Sequence, residues 1–307
     1  MGKKETVSSA LTPAEEIELI RKSKGRRIFE RETRLWLNTG IKRLNAVLGN
    51  ADLGIPYGKM IELFGPESHG KSILSLFLAA LGQRDNAKIA LVDLERSWAP
   101  EWAQSQGVDP DHVYIFKPEI YSTKSDIEME TGEEVLDLVE GWMKKHYTSP
   151  ESKEIVIVDS LAALLAAEEQ EAGILNQNMR TNAAQSTLLS KLCRRWAAYA
   201  EGYNAMIIFI NQIRTKPGVV WGDPTYTPGG KAVKFYSSIR ASVQRVKNGR
   251  MMQGREIVGL RGIIRNQKNK VGREGQESGF ESRFGKKSWK FPSVEEVRKA
   301  AGAKDAD

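Results

Sequence analysis

Cysteine, histidine and long apolar runs are all scarce in this chain. Among 307 residues there is one cysteine, Cys193, and there are three histidines. A single thiol excludes an internal disulfide framework and fits a reducing compartment, so a cytoplasmic location is expected. So few histidines and thiols also exclude a zinc cluster of familiar spacing. No apolar run approaches the ~20 residues that cross a bilayer, so no membrane partner is expected. Met1-Gly2-Lys3-Lys4-Glu5 leads into no apolar core, so no signal peptide is expected either. Two long stretches of the chain are each poor in one sign of charge. Residues 101–177 carry 5 Lys and Arg against 17 Asp and Glu, whereas residues 231–307 carry 19 against 8. A uniformly solvated surface does not need that split, and the basic region points to a polyanionic partner bound through counterion release.

What is present centres on Ile61-Glu62-Leu63-Phe64-Gly65-Pro66-Glu67-Ser68-His69-Gly70-Lys71-Ser72. A short apolar run breaks at Gly65, and a helical pattern resumes after Gly70 with Ile73, Leu74, Leu76, Phe77 and Leu78. Between them lies G-x-x-x-x-G-K-[ST], the loop that cradles phosphates. Glycines let successive N–H groups curl toward one anion, and the helix start adds its positive dipole end. Lys71 can reach the outer phosphates, and the Ser72 hydroxyl can ligate Mg²⁺. The spacing predicts a nucleoside triphosphate site built from Gly65, Pro66, Glu67, Ser68, His69, Gly70, Lys71 and Ser72.

Strands are expected at Ile89–Asp93, Val113–Phe116, Ile155–Asp159 and Met206–Ile210. Helices are expected between them at Ser72–Leu81, Pro100–Gln106, Glu133–Lys145 and about Asn178–Tyr199. Alternation of this kind implies crossovers and a largely parallel sheet, hence an α/β fold. After residue 236 the pattern changes to successive strands, Ile239–Val246, Ile257–Asn266 and Gly279–Phe284, read as antiparallel additions at one edge. Thr12-Pro13-Ala14-Glu15-Glu16 opens a short N-terminal helical arm. The expected division is an arm over residues 1–37, a core over 38–285 and a short basic tail over 286–307.

Two further strand ends carry acids. Ile155-Val156-Ile157-Val158-Asp159 places a carboxylate at the carboxyl end of a buried strand, beside the phosphate loop, where a second-sphere Mg²⁺ carboxylate is wanted. Leu91-Val92-Asp93-Leu94-Glu95 offers a second, able to take a proton from attacking water. Glu95 is preferred over Asp93, though spacing hardly separates them. The segment from Arg214 to Pro228 holds Arg214, Lys216, Trp221 and Tyr226 among glycines and prolines, with Asp223 as its acid. Mobile backbone, cations and aromatics fit single-stranded nucleic acid, with phosphates neutralised and bases stacked.

Asn211-Gln212-Ile213-Arg214, then Gly218 to Trp221, then Gly229-Gly230-Lys231-Ala232-Val233-Lys234-Phe235-Tyr236 resemble the RecA recombinase family. So do the phosphate loop, Val92-Asp93-x-Glu95, Val158-Asp159-Ser160, and Lys268-Asn269-Lys270 followed by Phe280. The similarity covers roughly residues 35–285. It implies a RecA-like P-loop ATPase core that uses ATP and Mg²⁺, the latter held by Ser72 and Asp159. It also implies a helical filament of copies on single-stranded DNA that pairs with homologous duplex DNA.

By the same resemblance Glu95 is the catalytic base and Trp102 stacks on adenine. Gln212 senses the γ-phosphate, and Lys268 and Lys270 reach a neighbour's ATP. Lys234 and Phe235 lie near that interface. Trp221 inserts at a base step in a DNA loop that includes Arg214 and Lys216 and is closed by Gly229 and Gly230. A second DNA loop maps onto about Glu171 to Arg180, with Met179 and Arg180 as its contacts.

Some positions depart from the family pattern. Ala99 stands where the family commonly has an acid near adenine, and His69 is unusual inside the loop and is read as a tolerated, partly exposed side chain. Only 22 residues follow Gly285, so a short variant without the family's larger carboxyl-terminal domain is expected, of a kind a phage could encode. The basic segment Lys286-Lys287-Ser288-Trp289-Lys290 is either a reduced substitute for that domain or a linker. Two other readings share these motifs: a ring-forming RecA-fold DNA motor, and a nucleotide-gated DNA-coating mediator with little turnover.

Overall fold

A computed structural model describes residues 34–122, 127–172, 179–215, 225–285 and 288–302, all within the compact unit Arg34–Asp307. The helical arm, Lys216 and Trp221 lie outside the described residues, as do the side chains of Met179 and Arg180.

Apolar runs rich in Ile and Val, broken in one strand by Glu62, become the parallel strands, because a strand covered on both faces has no reason to alternate. They are β1 (Met60–Gly65), β2 (Lys88–Asp93), β3 (Val113–Phe116), β4 (Glu154–Asp159) and β5 (Ala205–Gln212). The chain then adds β6 (Ile239–Gln253), β7 (Glu256–Asn269), β8 (Glu277–Arg283) and β9 (Ser288–Lys290). All nine form one sheet in the order β9-β8-β7-β6-β1-β5-β4-β2-β3. From β6 through β3 every neighbouring pair is parallel. From β6 outward to β9 every pair is antiparallel. The change of direction therefore comes one strand later than expected. β6 is reached through a short helix that crosses over from β5, and such a crossover returns the chain parallel.

The helices are α1 (Lys42–Leu48), α2 (Lys71–Arg84), α3 (Pro100–Ser105), α4 (Gly132–His146), α5 (Ala167–Ala172), α6 (Met179–Tyr203), α7 (Gly230–Tyr236) and α8 (Val294–Ala300). The period of two along each strand divides the apolar residues between two cores. Ile61, Leu63, Ile89, Leu91, Ile155 and Ile157 pack with α1 and α2 on one face. Met60, Ala90, Val92, Val156, Val158 and Phe209 pack with α4 and α6 on the other. There Trp196 of α6 stacks on Phe209, with ring centroids 6.1 Å apart and planes 14° apart. α4 opens with a capping box in which Thr131 and Glu134 satisfy each other's backbone N–H groups, fixing where the helix begins.

Two features were not anticipated. Ile120–Ser122 and Ile127–Met129 pair as a small antiparallel ribbon between β3 and α4. Residues 288–291 add an ordered edge to the body, ahead of the helix expected at Val294–Ala300. β9 pairs with β8, and Trp289 stacks on Phe77 at 4.8 Å and on Phe291 at 5.7 Å. The aromatic of the basic segment is thus committed to the core, while Lys290 stays exposed.

Candidate active site

The carboxyl ends of parallel strands β1, β5, β4 and β2 open onto one cleft, where ligands of open α/β sheets bind. β1 delivers the phosphate loop. Gly70, at φ 97°, makes the left-handed turn that lets α2 start at Lys71 without a side-chain cap. Lys71 is buried, and its Nζ donates to Gly65 O at 3.0 Å and Pro66 O at 2.7 Å, which holds the ammonium inside the curl. Burial pushes its pKa down, opposed by Asp159, Glu95 and Glu67. β4 delivers Asp159, whose carboxyl burial pushes up to about 6, with the Ser72 hydroxyl bond pulling the other way. The pair of hard oxygens on Ser72 and Asp159 suits Mg²⁺, which takes one or two protein ligands and completes its shell with phosphates and water. Among the described residues no group of three or more His, Cys, Asp or Glu could hold a metal by itself.

β2 delivers two acids with different tasks. Asp93 accepts from the backbone N–H groups of Ser97 and Trp98, both at 2.9 Å, so its oxygens are spent on folding the turn. Glu95 extends past the strand end. Its Oε1 accepts from the Ser160 hydroxyl and, at 3.4 Å, from Gln212 Nε2 at the end of β5. Glu67, Ser68, Lys71, Ser72, Glu95, Trp102, Asp159 and Gln212 together line a cleft of about 320 Å³. That volume is at the small end of ligand pockets and open to one side. Trp102 is 36% exposed and meets Phe284 edge-on at 4.9 Å. Ser160 lines the cleft and Phe284 packs on its Trp102, and sequence reasoning assigned neither a role. The signal for Ser160 was its place beside Asp159, whereas nothing local marks Phe284.

His69 does not line the cleft. Its Nδ1 accepts from the backbone N–H of Arg245 on β6 at 3.1 Å, tying the loop to the neighbouring strand. Burial and the Arg245 and Lys71 charges hold its pKa down, which keeps Nδ1 free to accept.

Other expected residues gather elsewhere. Lys268, on β7, donates from Nζ to Lys234 O at 2.8 Å and Phe235 O at 2.9 Å, capping the last turn of α7. Lys234, Phe235 and Lys268 therefore form one group outside the cleft, and Phe235 is 63% exposed. Lys270 follows on the same exposed side. Arg214 and Thr215 pair with Tyr226 and Thr225, closing the base of the loop. Gly229 and Gly230 end that loop with φ of 92° and 70°, and a Cβ on Gly229 would lie 2.5 Å from Leu189 Cδ1. Turn geometry and packing account for both glycines.

Residues 29–287 match the model of the RecA N-terminal domain. The chain belongs to the RecA family. Protein RecA of Caldanaerobacter subterraneus is 34% identical over 247 residues, 80% of this chain and 66% of the relative. Protein RecA of Staphylococcus aureus is 38% identical over 234 residues, 76% of this chain and 61% of the relative. The chain thus spans somewhat less than two thirds of the length of these curated relatives. Among the described residues no helix of this RecA-family chain is long and apolar enough to cross a membrane.

Proposed function

We propose that this protein is a cytoplasmic ATP-dependent recombinase that forms a filament on single-stranded DNA and exchanges that strand with homologous duplex. The observation that carries the reading is the convergence of Lys71, Ser72, Asp159, Glu95 and Gln212 on one cleft. At that cleft Gln212 ends the strand that leads into the Arg214–Pro228 loop. The phosphate loop and Lys71 bind the triphosphate, and Trp102 with Phe284 offers an aromatic corner for the base. Glu95, oriented by Ser160 and Gln212, takes the proton of the attacking water. Ser72 and Asp159 would hold Mg²⁺, which neutralises phosphate charge when bound. Lys268, Lys270, Lys234 and Phe235 form the face presented to the next copy's triphosphate. Arg214, Lys216, Trp221, Gly229 and Gly230, with Met179 and Arg180, contact DNA.

Electron microscopy with single-stranded DNA and a slowly hydrolysed ATP analogue tests this. Helical filaments are expected; closed rings would favour a motor, and free DNA would sink the reading.

Two variants of condition and sequence probe its parts. Trp221→Ala is expected to weaken single-strand binding by about 5–150-fold, the range for one lost stacking contact. An unchanged dissociation constant at fixed salt would remove Trp221 from the DNA site. A carboxyl with a pKa raised to about 6 is ionised at pH 7.5 and protonated below pH 6, where it cannot ligate a cation. The Mg²⁺ concentration giving half-maximal hydrolysis should therefore climb as pH falls through about 6. A requirement that stays flat from pH 7.5 to 5.5 would count against protonation of Asp159 as what limits cation binding in that range.

A further inference from the structure

A carboxylate in the middle of a central strand must be held by partners or it will not stay charged. Glu62, in β1, is fully buried between the two cores. Arg240 lies directly across from it in β6, is 7% exposed, and donates through Nε to Glu62 Oε2. Its guanidinium carbon also stands 4.6 Å from the ring centroid of Phe64. The other carboxylate oxygen, Oε1, accepts from Asn211 Nδ2 at 3.1 Å. Asn211 lies two residues beyond Phe209, the β5 partner of Glu62, and so faces the same side of the sheet.

Asn211 is itself fully buried, and its amide is fully used. The second Nδ2 proton goes to Pro228 O at 3.0 Å, and Oδ1 accepts the Gln212 N–H at 3.0 Å. Three structures meet on this one planar group: the buried ion pair, the last residue of the loop that begins at Arg214, and the backbone of the residue whose amide reaches Glu95. An amide with both N–H groups committed to acceptors in different elements cannot rotate without breaking a bond. Inside a close-packed interior it cannot absorb a displacement of Gln212.

We propose that Asn211, anchored by the Glu62–Arg240 pair, is the positioning residue that couples the nucleotide cleft to the base of the DNA loop. The inference rests on the recombinase reading above. When Gln212 follows the γ-phosphate, its backbone moves Asn211 Oδ1, and the Nδ2 bond to Pro228 carries that movement to the loop. DNA seated on the loop acts on Gln212 by the same route in reverse.

Reciprocity supplies the test. The dissociation constant of a labelled oligothymidine is measured with and without the slowly hydrolysed ATP analogue. That of the analogue is then measured with and without the oligonucleotide. Linkage requires the two ratios to be equal in the wild type, and coupled sites typically give about 5–150-fold. In Asn211→Ala both ratios are expected to fall to about one, while each ligand alone binds within about twofold of wild type. A merely structural role would weaken one or both affinities and leave the ratio intact, and that outcome overturns the proposal. If the alanine variant does not fold, Asn211→Ser, which keeps one donor, is expected to give an intermediate ratio, and a wild-type ratio there overturns it equally. A wild-type protein with a ratio of one would bring down the recombinase reading itself.

Discussion

Replacing Lys71 by alanine is expected to lower DNA-stimulated ATP hydrolysis by at least about 100-fold, the scale for removing one preorganised group from a phosphoryl-transfer site. The size follows from where the ammonium sits. Among the described residues lining the cleft it is the one cation, facing Glu67, Glu95 and Asp159. Without it, a triphosphate would meet three carboxylates with no opposing side-chain charge. The effect on the fold runs the other way. Burial penalises the charged lysine, so its pKa is lowered and removing it relieves a desolvation cost. The variant should therefore melt at or above the wild-type temperature, and added ATP should no longer raise that temperature as it does for a protein that binds it. Hydrolysis within a few fold of wild type would sink the site assignment. A lower melting temperature would show that the bonds to Gly65 O and Pro66 O matter more to the fold than the buried charge costs.

How far the site could be read in the sequence depended on whether its chemistry was local. The phosphate loop is contiguous, so the left-handed turn at Gly70 and the bonds of Lys71 back to Gly65 O and Pro66 O lie within one short stretch. Asp93 and Glu95 illustrate the opposite case. Both end the same strand, and only the turn that follows decides that Asp93 accepts from Ser97 and Trp98 while Glu95 is left for Ser160 and Gln212. His69 stood inside a binding motif, yet its partner is a backbone N–H on a strand far along the chain. Phe284, just past the end of β8, meets Trp102 through the fold alone, since the two stand far apart in the sequence.

The small ribbon at Ile120–Ser122 and Ile127–Met129 escaped notice because three-residue strands are too short for a period to register. β6 differs from the expected antiparallel addition, since it runs parallel to β1, for a related reason. Seven residues of α7 are enough to make a crossover but few enough to resemble a turn. One legible signal went unused: a lone acid, Glu62, in an otherwise apolar central strand. Such a residue needs a buried partner if it is to stay charged, although sequence does not say which.

That partner makes the second large effect predictable. Glu62→Gln is expected to destabilise the protein by ~3–5 kcal/mol in equilibrium urea unfolding, because it strands the Arg240 guanidinium without a counter-charge in the sheet centre. Replacing both residues with methionine removes the charge problem altogether. The thioether chains approximate the lost volume, and apolar replacements of buried pairs are often neutral or better. What the double variant still loses is one acceptor for Asn211 Nδ2, worth about 1 kcal/mol, and the contact of Arg240 with the Phe64 ring. It should therefore be within about 2 kcal/mol of wild type, far from the sum of the single losses, and the difference measures the coupling of the pair. Single and double variants of equal cost, or a Glu62→Gln loss below about 1 kcal/mol, would contradict a charged, mutually dependent pair. The double variant also keeps Asn211 bonded to Pro228 O and to the Gln212 N–H, so stability and coupling are separable. If the ion pair serves only to hold β1 to β6, the methionine pair should retain the nucleotide–DNA linkage in full. If the pair is what fixes the amide plane of Asn211, the linkage should weaken even where stability has recovered.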